Sequence, residues 1–228
     1  MKFLNKKIIA VIPARGGSKS IPLKNIVPLA GRPLIYYSIK TGLEIGFDRL
    51  IVSTDHDEIA KVSEKCGAEV IIRPAELSKD ESPTVDCLKH VLDELKKENY
   101  IPDLVVLLQP TSPIRKKESI ISALESFIKD FNNYDSLMPF CEVEGKVGKI
   151  VDGCYQPNYK PGTRRQDMEK LYRECGYVYI FKPDLINIKD MFGQKILPFV
   201  IKDFAETIDI DNMEDIKIAE YFLNKMND

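Results

Sequence analysis

The stretch "KIIAVIPARGGSKSIPLKN", Lys7 to Asn25, decides the fold. Its first part is a short β-branched run closed by Pro13, which is typical of a strand buried on both faces. Gly16 and Gly17 follow at once, and they allow backbone N–H groups to approach an anion. The loop also carries three cations: Arg15, Lys19 and Lys24. Ligands of open α/β sheets bind beyond the carboxyl ends of strands, so this loop predicts a polyphosphate site.

The loop matches neither of two common phosphate-binding motifs. It lacks the G-x-x-x-x-G-K-[ST] spacing of the P-loop and the G-x-G-x-x-G spacing of dinucleotide-binding proteins. A tight turn between strand and helix, with cations on the surface, is the alternative interpretation.

Strands and helices alternate along the rest of the chain. The predicted strands are 7–12, 49–53, 69–72, 104–108, 176–181 and 196–201. The predicted helices are 33–46, 56–66, one with Ser82 as N-cap and Pro83 as first residue, and one from about 213 to 226. This alternation indicates βαβ units and therefore a doubly wound α/β fold, with a mostly parallel sheet in three layers.

Composition limits the broad class of the protein. The 228 residues suit a single domain over 1–228, and 44% hydrophobic residues can build its core. A formal net charge of −2 disfavours a large nucleic-acid or membrane surface. We find no signal peptide in residues 1–7 and no transmembrane stretch, and the five cysteines form no disulfide or zinc pattern. The sequence therefore predicts a cytoplasmic protein.

The periodic pattern weakens at about 139–175, which we interpret as an excursion from the sheet. Its apolar residues have no evident place in a core of sheet and helices: Phe140, Val143, Val147, Ile150 and Val151. A two-fold interface would bury them, so we expect the excursion to build a homodimer.

Near the end of the chain, Thr207–Asp211 alternates acidic and apolar residues. Successive side chains of an extended segment point to opposite sides, so Asp209 and Asp211 share one face while Ile208 and Ile210 enter the core. Mg²⁺ binds one or two carboxylates, retained waters and substrate phosphate oxygens. The pair predicts a magnesium site, and an acidic strand end before a helix is the alternative.

Two polar segments follow predicted strands, and a third lies in the excursion. Gln109–Arg115 offers an amide, hydroxyls and a guanidinium to a polyhydroxylated, anionic ligand, and an ordinary proline turn is the alternative. Arg73 opens a second segment, after the third strand. The third is basic and contains Arg164, Arg165 and Arg173; a solvated loop is its alternative. We interpret His56 and His90 as surface residues.

These segments together resemble the acylneuraminate cytidylyltransferases. The matching motifs run in family order: Ile12–Lys19, Ile21–Asn25, Gly31–Ile35, Ser53–Asp55, Arg73–Leu77, Leu108–Pro113 and Asp209–Asp211. The resemblance implies that the C2 hydroxyl of a nonulosonic acid attacks the α-phosphate of CTP and releases pyrophosphate. It leaves N-acetylneuraminate, legionaminate and pseudaminate types open.

The resemblance also implies roles for single residues. The residues implied in catalysis are Arg15, Lys19, Lys24 and Asp211. Those implied in binding the nucleotide are Ala14, Arg15, Gly16, Ser18, Asn25, Arg73, Ser82 and Thr84. Those implied in binding the sugar are Gln109, Thr111, Ser112 and Tyr179, with Arg165 and Arg173 reaching the sugar carboxylate across a dimer. Asp209 and Asp211 would hold Mg²⁺.

Two other functions remain open from the sequence. A 3-deoxy-manno-octulosonate cytidylyltransferase shares the fold and chemistry, but its opening loop usually reads Ser-Thr-Arg-Leu-Pro-Gly-Lys. A non-catalytic nucleotide-binding protein on the same scaffold would not need both Asp209 and Asp211.

Overall fold

A mostly parallel sheet forms the centre of the molecule. The computed structural model describes residues 6–79 and 81–227. Its strands are β1 Ile8–Pro13, β2 Pro28–Leu29, β3 Arg32–Pro33, β4 Arg49–Thr54, β5 Glu69–Ile72, β6 Leu104–Leu107, β7 Ser136–Val143, β8 Gly148–Val151, β9 Cys154–Pro157, β10 Leu171–Glu174, β11 Tyr179–Phe181 and β12 Ile196–Ile201. Its α-helices are α1 Leu34–Ile45, α2 Asp57–Lys65, α3 Thr84–Lys97, α4 Lys117–Lys129, α5 Asp184–Asn187 and α6 Met213–Asn227, and its 3₁₀ helices are Lys24–Ile26, Ala75–Ser78, Arg165–Asp167 and Phe204–Thr207.

The predictions about the whole chain are tested only in part. The signal-peptide prediction concerns residues 1–7, and the first five lie outside the described residues. Among residues 6–79 and 81–227, none of the helices combines the length and the apolar character needed to cross a bilayer. The cytoplasmic location and the single domain over 1–228 stay predictions.

The main sheet has the strand order β10-β7-β11-β6-β1-β4-β5, and β12 also pairs with β7. β6, β1, β4 and β5 are mutually parallel neighbours. β11 is antiparallel to β6 and β7, and β10 is antiparallel to β7. The loops after β1, β4, β5 and β6 therefore leave the same edge of the sheet.

Side-chain alternation on β1 explains the layers. Ile8, Ala10 and Ile12 pack in one core cluster together with residues of α1, α2 and α4. Ile9 and Val11 point the other way, into a cluster with residues of α3 and α5. Each fully buried aliphatic side chain contributes about 1.5–3 kcal/mol, so burial on both faces fixes β1 at the centre. The predicted doubly wound fold is confirmed.

A third cluster anchors the acidic segment. Ile208 and Ile210 are buried beside Leu29, and α6 contributes Ile216 and Ala219 to the same cluster. The predicted alternation is confirmed, because Asp209 and Asp211 are exposed. This packing holds Thr207–Asp211 close to the loop after β1.

The segment that leaves the sheet is shorter than predicted. Phe140 and Val143 belong to β7, where Phe140 is in register with Val200 of β12 and Val143 with Leu171 of β10. The prediction that these two residues have no place in the sheet is wrong, because their partner strands are distant in sequence. Residues 144–170 remain outside the main sheet, and their hairpin β8–β9 leaves Ile150 76% exposed.

The start of α3 also differs from the prediction. The helix begins at Thr84, and Pro83 occupies the N-cap position. Ser82 does not cap it, because its hydroxyl donates to the carbonyl of Glu76 at 3.1 Å, within the preceding turn.

Candidate active site

Loops after β1, β5 and β6 surround a cavity of about 380 Å³. This volume lies within the range of small-molecule sites, about 300–1,000 Å³. Most of the predicted nucleotide-binding residues line it, and the predicted residues on its wall are Arg15, Ser18, Lys24, Asn25, Arg73, Ser82, Thr84, Gln109 and Thr111. Sequence reasoning missed other lining residues: Pro13, Leu77, Lys79, Pro83 and Pro110.

The loop after β1 is shaped by the end of β4. The Gly16 N–H donates to Asp55 Oδ1 at 2.9 Å. A Cβ on Gly16 would lie 2.7 Å from Cδ2 of His56, so the close approach of the imidazole requires glycine. Ala14 is buried, and its N–H donates to the carbonyl of Ser53 at 2.9 Å. Ala14 and Gly16 therefore shape the loop and do not line the cavity.

The two histidines lie only partly at the surface, so the interpretation as surface residues holds only in part. Both are half-buried. His56 occupies the N-cap of α2, where its Nδ1 accepts from the Glu58 N–H at 3.3 Å. The Nδ1 atom of His90 is buried without a hydrogen-bond partner in the described part of the chain.

The three cations of the loop have different positions. Arg15 Nη1 donates to the carbonyl of Lys79 at 3.0 Å, which fixes the guanidinium at the cavity. Lys24 Nζ donates to the carbonyl of Ile210 at 2.7 Å and lies 3.3 Å from Asp211 Oδ1. Lys19 is exposed and does not line the cavity.

Arg73 places a buried charge at the cavity. Its side chain is 6% exposed, and within residues 6–79 and 81–227 its Nε has no hydrogen-bond partner. A buried donor without an acceptor costs about 1–3 kcal/mol, so this guanidinium is suited to an acceptor that a ligand supplies. Asn25 also lines the cavity, but its amide donates to the carbonyl of Arg15 at 2.8 Å. That bond uses the amide nitrogen of Asn25 and leaves its Oδ1 as an acceptor for a ligand.

The acidic pair has the donor types that Mg²⁺ prefers. Asp211 is 79% exposed at its side chain and touches Lys24 of the cavity wall. The described residues contain no cluster of three or more metal-ligating side chains. One or two carboxylates are enough for Mg²⁺ when a substrate phosphate and waters complete its shell. The donor set therefore fits a metal that arrives with a nucleotide.

The loop after β6 forms a recess against the segment before β11. Gln109 and Thr111 line the cavity, and Ser112 is 2% exposed with no hydrogen-bond partner for its Oγ in the described residues. A Cβ on Gly176 would lie 2.6 Å from both Gln109 Oε1 and Ser112 Oγ. Glycine therefore keeps this polar recess free.

Arg115 does not line the cavity, and its guanidinium bonds within the protein, contrary to the prediction that it is offered to a ligand. Its guanidinium donates to the carbonyls of Tyr177 at 2.6 Å and Gln109 at 2.7 Å, and to Ser38 Oγ at 2.9 Å. Complete burial lowers the pKa of Arg115 to about 10, so the group stays charged at neutral pH. These bonds also explain why the predicted strand 176–181 begins only at Tyr179.

The other predicted sugar-binding residues do not line this cavity. Tyr179 is buried and donates to Glu174 Oε1 at 2.6 Å; burial first, and then that carboxylate, raise the pKa of Tyr179. Arg165 pairs with Glu144 at 2.6 Å, and a second cavity of about 370 Å³ lies beside it. Arg173 is exposed on β10.

A cavity beyond the carboxyl ends of a mostly parallel sheet, walled by a basic glycine-containing loop, places this chain in the α/β nucleotidyltransferase class. Two solved structures share the fold. One is CMP:2-keto-3-deoxy-manno-octonic acid synthetase complexed with CTP, at a TM-score of 0.73 and 16% identity over 96% of this chain and 99% of that one. The other is 4-diphosphocytidyl-2C-methyl-D-erythritol synthase from Anaerococcus prevotii, at 0.67 and 18%, with the same coverage.

The chain belongs to the cytidylyltransferase family, whose sequence model matches residues 9–226. It is 32% identical to the pseudaminic acid cytidylyltransferase of Campylobacter jejuni over 97% of each chain. It is 33% identical to the CMP-N,N'-diacetyllegionaminic acid synthase of Legionella pneumophila, over 94% of this chain and 95% of the relative. It is 34% identical to the N-acylneuraminate cytidylyltransferase of Streptococcus agalactiae, and spans about half of that relative's length. The predicted family is confirmed.

Proposed function

We propose that the protein transfers CMP from CTP to a nonulosonic acid and releases pyrophosphate. The names of relatives that are about one-third identical over most of this chain support this substrate class. The observation that carries the proposal is the cavity, because Arg15 and Lys24 bring positive charge to it and the Nε of buried Arg73 has no acceptor among the described residues. A nucleoside triphosphate supplies both the negative charge and the acceptor.

The proposed reaction is a displacement at the α-phosphorus. The C2 hydroxyl oxygen of the sugar bonds to phosphorus, the bond from phosphorus to the β-phosphate bridging oxygen breaks, and the hydroxyl proton is released. Arg15 and Lys24 offset the charge that collects on the departing pyrophosphate, and Ser18 lines the same wall. We assign exposed Lys19 to the outer end of the triphosphate.

We assign the metal to Asp209 and Asp211. Their carboxylates lie on the exposed side of a segment whose isoleucines are buried, and Asp211 is next to Lys24. When bound, Mg²⁺ supplies positive charge against the phosphate oxygens. Asp209→Ala and Asp211→Ala should fold normally and lose most turnover, and a chelator should do the same to the parent. Unchanged rates in chelator, or in both variants, would contradict the assignment.

Pyrophosphate release from CTP, measured over a panel of acids, tests the function. We expect release with at least one of N-acetylneuraminate, a legionaminate and a pseudaminate. Release only with 3-deoxy-manno-octulosonate would favour that enzyme, and CTP binding without release would favour a non-catalytic protein. CTP should be strongly preferred over UTP, because the wrong base leaves buried polar groups unpaired.

We also propose that residues 144–170 join two copies of this chain. Ile150 and Tyr155 of the hairpin β8–β9 are exposed, and a two-fold interface would bury both. Arg165 and Arg173 do not line the cavity described above. In a dimer they would instead reach the sugar carboxylate of the partner subunit, with the paired geometry that arginine allows.

Mixing two inactive variants tests the shared site. Asp211→Ala and Arg165→Ala damage different halves of it, so a mixed dimer contains one intact site. Activity should return toward a fraction of the parent's once subunits exchange. A monomer in sedimentation at assay concentration, or no recovery after verified exchange, would contradict the proposal.

A further inference from the structure

A buried carboxylate lies just before the acidic segment, and the proposed reaction does not use it. Glu206, in the 3₁₀ helix Phe204–Thr207, is 5% exposed. It accepts hydrogen bonds from the Tyr177 hydroxyl at 2.6 Å, the Lys116 N–H at 3.0 Å and the Ser119 hydroxyl at 3.3 Å. No lysine or arginine of the described ranges forms an ion pair with it. Burial of a carboxylate on neutral donors is costly, so this arrangement needs a reason.

The donors come from two elements that border the cavity loops. Lys116 and Ser119 belong to the start of α4, directly after the loop that follows β6. Tyr177 follows Gly176, which borders the polar recess. Burial first, and then the hydrogen bond to Glu206, raise the pKa of Tyr177, so its hydroxyl remains a donor at neutral pH.

Hydrogen bonds hold the same segment at a second point, Ile210, four residues after Glu206. The N–H of Ile210 donates to the carbonyl of Thr111 at 2.7 Å, and the carbonyl of Ile210 accepts from Lys24. Asp209 lies between these two fixed points, and Asp211 directly follows the second. A span of four residues with both ends held has few backbone conformations left, so the direction of the Asp209 carboxylate depends on both ends.

We propose that Glu206 is a positioning residue that fixes Asp209 and Asp211 at the edge of the cavity through its bonds to Tyr177 and Lys116. Glu206 touches neither nucleotide nor metal in this proposal. The inference rests on the proposed function, because it assigns Glu206 to the same metal-carrying site.

The test variant, Glu206→Gln, replaces the carboxylate by a neutral amide of nearly the same shape. In Glu206→Gln, the affinity for Mn²⁺ in the presence of CTP, measured by water-proton relaxation, should fall about tenfold, because the bonds to a neutral amide oxygen are weaker than those to a carboxylate. The Mg²⁺ concentration for half-maximal activity should rise by the same factor, and the Ile210 amide should exchange faster with solvent. The KM for the sugar should not change.

Asp203→Asn is the matched control. Asp203 precedes the same 3₁₀ helix, pairs with Lys116 Nζ at the surface, and caps the helix by accepting from the Ala205 N–H at 3.1 Å. Asparagine keeps the cap and removes only the charge pair. Mn²⁺ affinity and exchange of the Ile210 amide should match the parent.

The possible outcomes distinguish a failure of this inference from a failure of the proposed metal site. If Glu206→Gln keeps the parental Mn²⁺ affinity and Ile210 exchange, Glu206 is not a positioning residue, even when the variant is less stable. If the parent binds no Mn²⁺ and works in chelator, the proposed metal site fails instead. If Glu206→Gln does not fold, the same measurements on Tyr177→Phe decide, because that variant removes the 2.6 Å bond.

Discussion

Two buried arginines should respond in opposite ways to replacement by methionine. Arg73 is 6% and Arg115 7% exposed. Nε of Arg73 has no partner among the described residues, whereas Arg115 donates to the carbonyls of Gln109, Gly176 and Tyr177. Methionine fills similar space and removes both the charge and the donors. We therefore expect the charge of Arg73 to serve a ligand and that of Arg115 to serve the fold.

The contacts give the expected magnitudes. Nε of Arg73 has no partner among the described residues, so removing this buried charge should raise the free energy of unfolding by about 1–2 kcal/mol. CTP would lose a charged donor, which weakens binding by about 1.5–3 kcal/mol, or roughly 10- to 150-fold. Among the described residues, Arg115→Met leaves the carbonyls of Gly176 and Tyr177 without a donor, so the free energy of unfolding should fall by roughly 2–6 kcal/mol.

Urea denaturation and calorimetric titration with CTP measure the two effects separately. Arg73→Met should unfold at higher urea than the parent and bind CTP weakly. Arg115→Met should unfold at much lower urea. The reasoning is refuted if Arg73→Met loses as much stability as Arg115→Met, or if it binds CTP as tightly as the parent.

Two further predictions concern the nucleotide loop and acid stability. Gly16→Ala should weaken CTP binding at least tenfold, because the new Cβ would meet His56. Gly17→Ala is the matched control, because no atom lies within 4 Å of its new Cβ. Equal effects of the two variants on CTP affinity in calorimetry would argue against the loop geometry. The N–H of Lys195, and then that of its neighbour, hold the pKa of Asp135 below its usual value. The stability that this carboxylate contributes is present above about pH 4 and is lost as pH falls through the folded pKa. On acid titration, the free energy of unfolding of Asp135→Asn should therefore fall less steeply than that of the parent. Parallel curves of unfolding free energy against pH would exclude the contribution.

Local patterns predicted the elements of the sheet and its helices well. Burial on both faces makes β1 a continuous apolar run, and it can be read from the sequence alone. The helix α4 was not predicted, although Ile120, Ala123, Leu124 and Phe127 repeat at helical spacing and are buried. A signal for this helix was present. The sequence predicted that much of β7 lies outside the sheet. β7 pairs with β12, about 60 residues further along the chain, and no local pattern indicates such a pairing.

The sequence predicted which loops form the candidate site, but it did not predict which polar side chains face the cavity and which bond within the protein. Gly16 and Arg15 stand in a motif whose composition indicates an anion. Nothing near Arg115 in the sequence indicates that its guanidinium donates a hydrogen bond to a carbonyl 62 residues later. Glu206 likewise has no local signal, because its shortest bond is to a tyrosine 29 residues earlier. Long-range hydrogen bonds decide which polar residues face a ligand and which hold the fold.

The pair of Lys24 and Asp211 connects the two halves of the proposed site. Lys24 Nζ lies 3.3 Å from Asp211 Oδ1; the Lys24 side chain is only 11% exposed and the Asp211 side chain 79%. In the free protein each charge is partly offset by the other. In the proposed complex, a nucleotide that arrives with a metal would bring a phosphate for Lys24 and a cation for Asp211, so neither charge would be left alone. Lys24 also donates to the carbonyl of Ile210 at 2.7 Å, so we expect the segment that carries Asp211 to need little rearrangement to bind the proposed metal.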